Sequence, residues 1–254
     1  MNVLACVKRV PETGAKIVLT DDNQEIDASN LGFTMSPHEE CAIEEAIQQV
    51  EAHGGSSHVL TLGPAEAAEQ LRTGLAMQAD EATLLETDGE EWRPRATADA
   101  IANAVREHDE AFDLLLFGNE SADTGNYQVG VRVARELGLP CVTGIKSLDV
   151  EDGTAIAKRE ISGGEEVYEV DLPAVVAVKE GINEPRYASM RAKMQARNQE
   201  IPSREPNGSA GQGSFEKVRL EAPDTAASEA EILGEGPDAV PRVIEVLDEE
   251  VEVL

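Results

Sequence analysis

The chain has 254 residues, of which 50 are acidic and 21 basic, giving a formal net charge of −29. Its hydrophobic content of 41% is ordinary for a globular protein, and its length suffices for one large or two modest domains. An acidic shell spread over the whole chain predicts a halophilic protein, because concentrated salt screens the self-repulsion. The same shell repels DNA and anionic membranes, which argues against nucleic-acid binding.

Cysteine usage and hydropathy indicate an intracellular protein. Cys6, Cys41 and Cys141 are far apart and form no C-x-x-C motif, so we expect no disulfide framework. The opening residues MNVLACVKRV lack a charged segment ahead of an apolar stretch and are not expected to be a signal peptide. No apolar run approaches the roughly 18 residues of a membrane span. We therefore expect a soluble, cytoplasmic protein.

Strand and helix signals alternate over the first half of the chain. Strands are predicted at 2–7, 58–62, 82–85 and 113–118. Helices are predicted to begin at Ser36-Pro37, after Gly63-Pro64, at Arg95 and at the end of the loop that follows residue 118. Short links between such elements predict an α/β fold with a doubly wound, mostly parallel sheet of the Rossmann-like, nucleotide-binding kind.

The pattern changes at Cys141. Turn sequences EDG and SGG separate strand-like runs, the last of which is PAVVAVKEG at 173–181, and such turns predict hairpins. We therefore expect an antiparallel extension of the main sheet, within one domain of residues 1–202.

The rest of the chain has a different composition. Residues 203–214, SREPNGSAGQGS, predict a flexible linker. The arm that follows, 215–254, carries a strand-like KVRLEA at 217–222 and a short predicted helix at 239–247. It has too little apolar surface to fold alone, so we expect it to wrap another surface, of this chain or of a partner subunit.

The most informative stretch is Asp113–Gly138, where the buried-strand signal DLLLFG enters a polar loop that opens a helix. Unpaired amides at a helix start attract anions, and Gly125 and Gly130 allow a phosphate close to the backbone. The loop's polar residues, among them Asp123, can cap the helix or meet ligand hydroxyls, and both interpretations fit this segment.

Ligands of doubly wound sheets bind beyond the carboxyl ends of the strands. Here those ends are Val7-Lys8, Leu62-Gly63 and Gly118, and each leads into turn-forming residues. This convergence favours ligand binding over capping alone.

No catalytic set is evident, since the chain lacks G-x-S-x-G and any Cys-His pair in a plausible loop. His53 and His58 flank a Gly-Gly turn with no cysteine or carboxylate cluster nearby, so we expect no metal site. His38 and His108 are expected to be ordinary surface or core residues.

Residues 183–197, NEPRYASMRAKMQAR, are basic in an otherwise acidic chain. Met190 and Met194 lie one helical turn apart among Arg186, Arg191, Lys193 and Arg197. A flexible methionine surface ringed by cations suits an acidic partner. The alternative is a short helix whose methionines fill the core.

Five segments, in the same order along the chain, closely resemble the β subunit of electron transfer flavoproteins. They are MNVLACVKRVPETG, MSPHEECAIEEAI, LGPAEAAEQLRTGLAMQADEA, AKREISGGEEVYEVDLPAVV and VKEGINEPRYASMRAKMQAR. The resemblance covers about the first 200 residues and is loose over the last 40 or so.

The resemblance implies a heterodimer with an α subunit that carries most of the redox-active FAD at the subunit junction. The β subunit then holds a second nucleotide, AMP in simple carriers or a second FAD in electron-bifurcating relatives. The resemblance places that nucleotide against Cys6, Ser36, Pro37, His38, Glu39, Leu62, Gly63, Asp123, Thr124, Gly125, Asn126, Tyr127, Gln128, Val129 and Gly130. The loop sequence DTGNYQVG matches neither pattern cleanly, which leaves AMP and FAD open.

The resemblance also implies contacts with partners. Thr13 is the implied contact to the redox flavin, and it replaces an aromatic residue of well-studied members, so ring stacking is lost. Glu160 matches a glutamate that pairs with an α-subunit arginine. The partner-docking loop carries over as Tyr187 to Met194, with Met190 in place of an anchoring leucine. Three basic residues complete the predicted docking surface, namely Arg186, Arg191 and Lys193.

The implied function is an electron carrier, without catalysis of its own, between flavin dehydrogenases of the acyl-CoA dehydrogenase type and a membrane quinone reductase. One alternative is the β subunit of a bifurcating flavoprotein complex. A second is a stand-alone adenine-nucleotide-binding module without a redox role.

Overall fold

The computed structural model describes residues 1–211, 217–223 and 231–251. They belong to two units. The first unit comprises residues 1–18 and 27–211. The second comprises residues 19–26 and the described residues from 217 onward.

The secondary structure follows the chain as twelve strands and six helices within the described residues. The strands are β1 (Asn2–Val7), β2 (Val10–Pro11), β3 (Phe33–Thr34), β4 (Ser56–Gly63), β5 (Glu81–Glu86), β6 (Leu114–Gly118), β7 (Cys141–Ile145), β8 (Ser147–Glu151), β9 (Thr154–Ile161), β10 (Gly164–Asp171), β11 (Ala174–Val178) and β12 (Ser203–Arg204). The helices are α1 (Pro37–His53), α2 (Ala68–Ala76), α3 (Pro94–Arg106), α4 (Val129–Leu137), α5 (Met190–Arg197) and α6 (Val240–Glu245).

Seven strands of the first unit form one parallel sheet in the order β12-β5-β4-β1-β6-β11-β7. Alternate side chains of β1 enter different cores, because successive residues of a strand point to opposite faces. Val3 and Ala5 pack with α1 and α2, whereas Leu4 and Cys6 pack with α3 and α4. The prediction of a doubly wound, mostly parallel α/β sheet with added antiparallel strands is confirmed.

The predicted antiparallel extension of the main sheet from Cys141 onward is wrong in two respects: β7 and β11 are parallel strands of the main sheet, and the antiparallel strands do not join it. PAVVAVKEG supplies β11, which runs parallel between β6 and β7 in the main sheet. All five residues of β11 are buried, and a continuous apolar run without alternation is typical of a central parallel strand. The antiparallel strands β8, β9 and β10 form a separate three-stranded sheet.

The predicted linker and arm differ from expectation in two places. Ser203 and Arg204, assigned to the linker, form the edge strand β12 beside β5, and residues 212–214 lie outside the described residues. In the second unit, the strand predicted at 217–222 is wrong, and Leu220 N–H donates instead to the carbonyl of Asn23 at 2.8 Å. The helix predicted at 239–247 is present as α6 and its flanking turns.

Within the described residues, no helix combines the length and the apolar character needed to cross a lipid bilayer.

Candidate functional site

The first turn of α1 lies directly against the carboxyl end of β6. A Cβ at Gly118 would lie 2.8 Å from Glu39 Cγ and 3.2 Å from His38 Cβ, so only glycine permits this approach. Ser36 precedes the helix in extended conformation, and Pro37 occupies the first helical turn, where a missing N–H costs little. The N–H of Ser36 donates to Glu39 Oε2 at 3.1 Å. The local sequence therefore fixes both where α1 starts and how close it comes to β6.

This packing buries Glu39, which is only 5% exposed. Burial raises the pKa of Glu39 to about 7, against the lowering effects of the Ser36 and Lys8 amides and the Lys8 charge, while Asp123 adds to the rise. At the end of β1, burial and then the charge of Glu39 raise the pKa of the Cys6 thiol. Cys6 is therefore a neutral packing residue rather than a nucleophile.

The loop after β6 is tied to the end of β1. Lys8 Nζ lies 2.6 Å from Asp123 Oδ2. Burial alone would raise the pKa of Asp123, but the hydrogen bond and the charge of Lys8 hold it below its usual value. Ser36 Oγ also donates to the carbonyl of Glu120 at 3.4 Å. The ends of β1 and β6 and the start of α1 thus meet at one edge of the sheet.

The turn into α4 leaves the start of that helix open. Gly125 and Tyr127 have φ values of 53° and 55°, and Gly125 N–H donates to the carbonyl of Ser121 at 3.1 Å. Gln128, at the helix start, directs its side-chain carbonyl to Arg132 at 2.9 and 3.1 Å. The Gln128 side chain does not cap the first-turn amides of α4, and no other side-chain oxygen of the described residues accepts a hydrogen bond from them, so these amides can bind an anion.

Two predicted glycines face the protein. A Cβ at Gly130 would lie 3.2 Å from the ring of Phe117, so this glycine allows α4 to pack closely on β6. This contact does not support the prediction that Gly130 allows a phosphate to approach the backbone. Gly63 lies at the end of β4, where a Cβ would meet Ala67 at 3.1 Å. Its carbonyl accepts from Thr87 N–H at 2.9 Å.

The remaining predicted residues divide between this edge and elsewhere. Those exposed at the edge are Pro37, Asp123, Thr124, Asn126 and Tyr127, and those partly buried there are His38, Leu62, Gln128 and Val129. Thr13 is exposed in the loop after β2, and among the described residues no hydrogen bond or ion pair joins it to the edge. The sequence-based site set omitted Lys8, although it is a cation at the end of the central strand.

The docking loop presents its methionines to solvent. Ala188 and Ala196 pack against Ala76 of α2, while Met190 and Met194 are 70% and 65% exposed. The alternative in which the methionines fill the core is wrong. The small alanine side chains bring α5 close to α2 and leave the long side chains on the outer face.

The cations of the loop have different environments. Lys193 Nζ lies 4.4 Å above the ring centroid of Tyr187, which is 84% exposed. Arg186 is bound internally, with its Nε 2.9 Å from Glu44 Oε2 and its Nη1 2.7 Å from Glu51 Oε1. The predicted docking role of Arg186 is therefore corrected, because its charge is compensated and it anchors the loop to α1.

Two other predicted docking residues are exposed. Arg191 lies on the outer face of α5, and Glu160 lies at the end of β9 opposite Glu165 of β10. His58 has one carboxylate neighbour, Glu81, whose Oε2 lies 3.3 Å from His58 Nδ1, and the ring of His108 contacts its ring.

A parallel, doubly wound sheet whose carboxyl edge carries an open helix start and a glycine-bearing loop is an architecture common among α/β proteins that bind nucleotides. The electron transfer flavoprotein domain model matches residues 25–208. The chain is 36% identical over 203 residues to the electron transfer flavoprotein subunit beta of Bacillus subtilis, covering 79% of this chain and 77% of the relative. The corresponding subunit of Syntrophomonas wolfei is 38% identical over 204 residues, 79% and 78% of the two chains.

A relative of a different description is the caffeyl-CoA reductase-Etf complex subunit CarD of Acetobacterium woodii, 33% identical over 206 residues, 79% of this chain and 77% of the relative. Together these matches show that the chain belongs to the electron transfer flavoprotein family, among its beta subunits. The resemblance noted from the sequence is confirmed.

The buried carboxyl of Glu39 predicts a pH-dependent effect of Glu39→Gln. The folded-state pKa of about 7 lies above the ordinary glutamate value of 4.5, so the wild type loses stability as pH rises from 4.5 to about 7, and the loss is constant above that. Glutamine keeps an oxygen for the Ser36 N–H and does not titrate. We expect the unfolding free energy of the variant, relative to that of the wild type, to rise by up to about 3 kcal/mol between pH 4.5 and 7.

Urea denaturation at a series of pH values measures this difference, with Glu66→Gln, at an exposed glutamate, as the matched control. A difference between the Glu39→Gln variant and the wild type that stays constant from pH 4.5 to 8 would contradict the effect of burial.

Proposed function

We propose that this chain is the β subunit of a cytoplasmic, heterodimeric electron transfer flavoprotein that binds AMP structurally. Through FAD held mainly by the α subunit at the junction, the heterodimer accepts electrons from acyl-CoA dehydrogenase-type flavoenzymes and passes them to a quinone reductase. The observation that carries the proposal is the exposed pair Met190 and Met194 beside the exposed cations Arg191 and Lys193, in a chain of net charge −29. A basic, flexible apolar surface is what transient docking to several acidic partners requires.

The carboxyl edge of the sheet fits a nucleotide phosphate. The first-turn amides of α4 have no side-chain cap, and a Cβ at Gly125 would meet only Glu120 Oε2 at 3.6 Å and the Ser121 carbonyl at 4.0 Å. Lys8 compensates Asp123, and the raised pKa of Glu39 reduces its negative charge near pH 7. The uncapped amides, the Lys8–Asp123 pair and the raised pKa of Glu39 lower the electrostatic cost of an anion at this edge.

In the proposed function, electron transfer requires no nucleophile or general acid from this chain. FAD, when bound at the junction, supplies the redox chemistry, while the protein positions it and sets the surrounding field. In the proposal Thr13 approaches the flavin without ring stacking, and Glu160 is available to an arginine of the α subunit.

The C-terminal arm is proposed to wrap the α subunit. Its described residues include Val218, Ile232 and Ile244, which are exposed apolar side chains. A partner surface would remove them from water. The acidic surface is proposed to suit a high-salt cytoplasm, where screening weakens the repulsion among its carboxylates.

A second candidate is the β subunit of an electron-bifurcating complex with FAD in place of AMP. The observation that favours it is the similarity to the Acetobacterium woodii subunit, whose name assigns it to a reductase complex.

Nucleotide extraction from the purified heterodimer tests the proposal. We expect one FAD and one AMP per αβ pair, measured by chromatography of the denatured supernatant against standards. Two FAD per pair would establish the bifurcating alternative. A β chain that purifies as a monomer with adenylate and without a flavoprotein partner would establish the stand-alone module.

Met190→Ala tests the docking surface. Because Met190 is exposed and central to the loop, its truncation removes an apolar anchor and is expected to slow reduction by the dehydrogenase by about tenfold, as for a hot-spot residue. Stopped-flow flavin reduction measures the rate, and nucleotide content should be unchanged. The control is Val167→Ala on β10, which also truncates an exposed apolar residue; in this variant the flavin should be reduced at the wild-type rate. Equal rates of flavin reduction in the Met190→Ala variant and the wild type would exclude the docking role.

A further inference from the structure

Two histidines and a glutamate meet at the amino edge of the sheet, opposite the edge that carries the proposed nucleotide site. His58 near the start of β4 lies in register with Glu81, the first residue of β5, and His58 Nδ1 is 3.3 Å from Glu81 Oε2. His108, just beyond α3, brings its ring centroid to 5.2 Å from that of His58, with the two planes at 90°. One ligand atom from each of the three side chains lies within 4.8 Å of the others.

Each imidazole has one nitrogen engaged on the side away from this cluster. His58 Nε2 lies 2.9 Å from Thr83 Oγ1, and His108 Nδ1 lies 2.9 Å from the carbonyl of Glu110. The Glu110 N–H also lies 3.3 Å from His108 Nδ1, and outer contacts of this kind orient the imidazole rings of metal sites. Thr83 is two residues beyond Glu81 on β5, so both side chains are on the same face of the strand.

His58 Nδ1 itself lacks a satisfactory partner. It is a buried nitrogen without a hydrogen bond of acceptable geometry, although Glu81 is close. A buried, unpaired polar atom is costly. A cation located between the nitrogen and the carboxylate oxygen removes this cost.

We propose that His58, Glu81 and His108 bind one divalent transition-metal ion, and that Zn²⁺ fits the site best. Tetrahedral zinc with ligand bonds of about 2.0–2.1 Å separates neighbouring ligand atoms by about 3.3 Å and neighbouring imidazole centroids by about 5 Å. The observed separations are 3.3 Å and 5.2 Å. Two imidazoles and a carboxylate are ligands that zinc accepts, and water completes the fourth position.

One ligand of the site can be reached from solvent. The Glu81 side chain is 61% exposed, which gives the ion a path from solvent. The bound ion links the segment after α3 to the starts of β4 and β5, which is a structural rather than a redox role.

Zinc loading of the purified protein, in complex with its partner subunit, tests the site. After treatment with EDTA, reloading with excess Zn²⁺ and dialysis, elemental analysis should find one Zn²⁺ per complex more than in a control that carries His58→Gln, Glu81→Gln and His108→Gln and is prepared in parallel. Co²⁺ used as the probe should give the visible absorption bands of a tetrahedral site. Zinc at about 100 times its Kd should raise the melting temperature by about 5 °C or more.

Single variants assign the ligands. Glu81→Gln replaces an exposed side chain and should weaken Zn²⁺ binding by at least about tenfold, the loss found even for outer-shell partners, with the metal-free melting temperature unchanged. His108→Gln should have the same effect on affinity. His53→Gln, at an exposed histidine outside the cluster, should bind as the wild type does. Absence of stoichiometric zinc in the wild type, or wild-type affinity in both ligand variants, would overturn the proposal.

Discussion

The close approach of α1 to the carboxyl end of β6 is the contact on which the rest of the edge depends. Gly118 permits it, because a Cβ there would overlap Glu39 and crowd His38. The same contact buries Glu39, raises its pKa and brings the start of α1 to the loop that Lys8 holds through Asp123. A larger residue at position 118 would push the helix outward and separate the groups that form the edge.

Charge is the second constraint on this protein. The proposed function requires a chain of net charge −29 to accept an anionic nucleotide and to dock other proteins. At the edge of the sheet, Lys8 neutralises Asp123, and the raised pKa of Glu39 reduces a second negative charge. At the docking loop, Arg186 is paired internally and holds the loop to α1, whereas Arg191 and Lys193 are exposed.

The sequence predicts local elements well where one pattern dominates. The strand at 2–7 and the start of α1 at Pro37 agree with the structure, because an apolar run and a Ser-Pro start depend on nearby residues alone. The sequence predicts an antiparallel strand at PAVVAVKEG because the turn residues before it resemble those of a hairpin. Its actual position as a parallel strand between β6 and β7 depends on pairing with residues distant in sequence.

At the candidate site, too, local features can be predicted from the sequence, whereas contacts between distant residues cannot. Gly125 and the helix start after it are visible in the sequence, but the role of Lys8 requires the distance from β1 to the following loop. Exposure of Met190 and Met194 depends on the alanines that pack α5 against α2, a choice of helix face that the methionine spacing leaves open. The neighbourhood of His58 and Glu81 depends on strand register, which joins residues far apart in sequence.

The central claim is that an adenine nucleotide binds at the edge formed by the ends of β1 and β6 and the starts of α1 and α4. Hydrogen–deuterium exchange of the heterodimer, with and without its extracted adenine nucleotide, tests this most directly. The account predicts that the nucleotide slows exchange of amides in 36–40 and 119–130. Protection confined to the surface depression lined by Arg95, Arg106 and Asn207, with no change in those two segments, would contradict it.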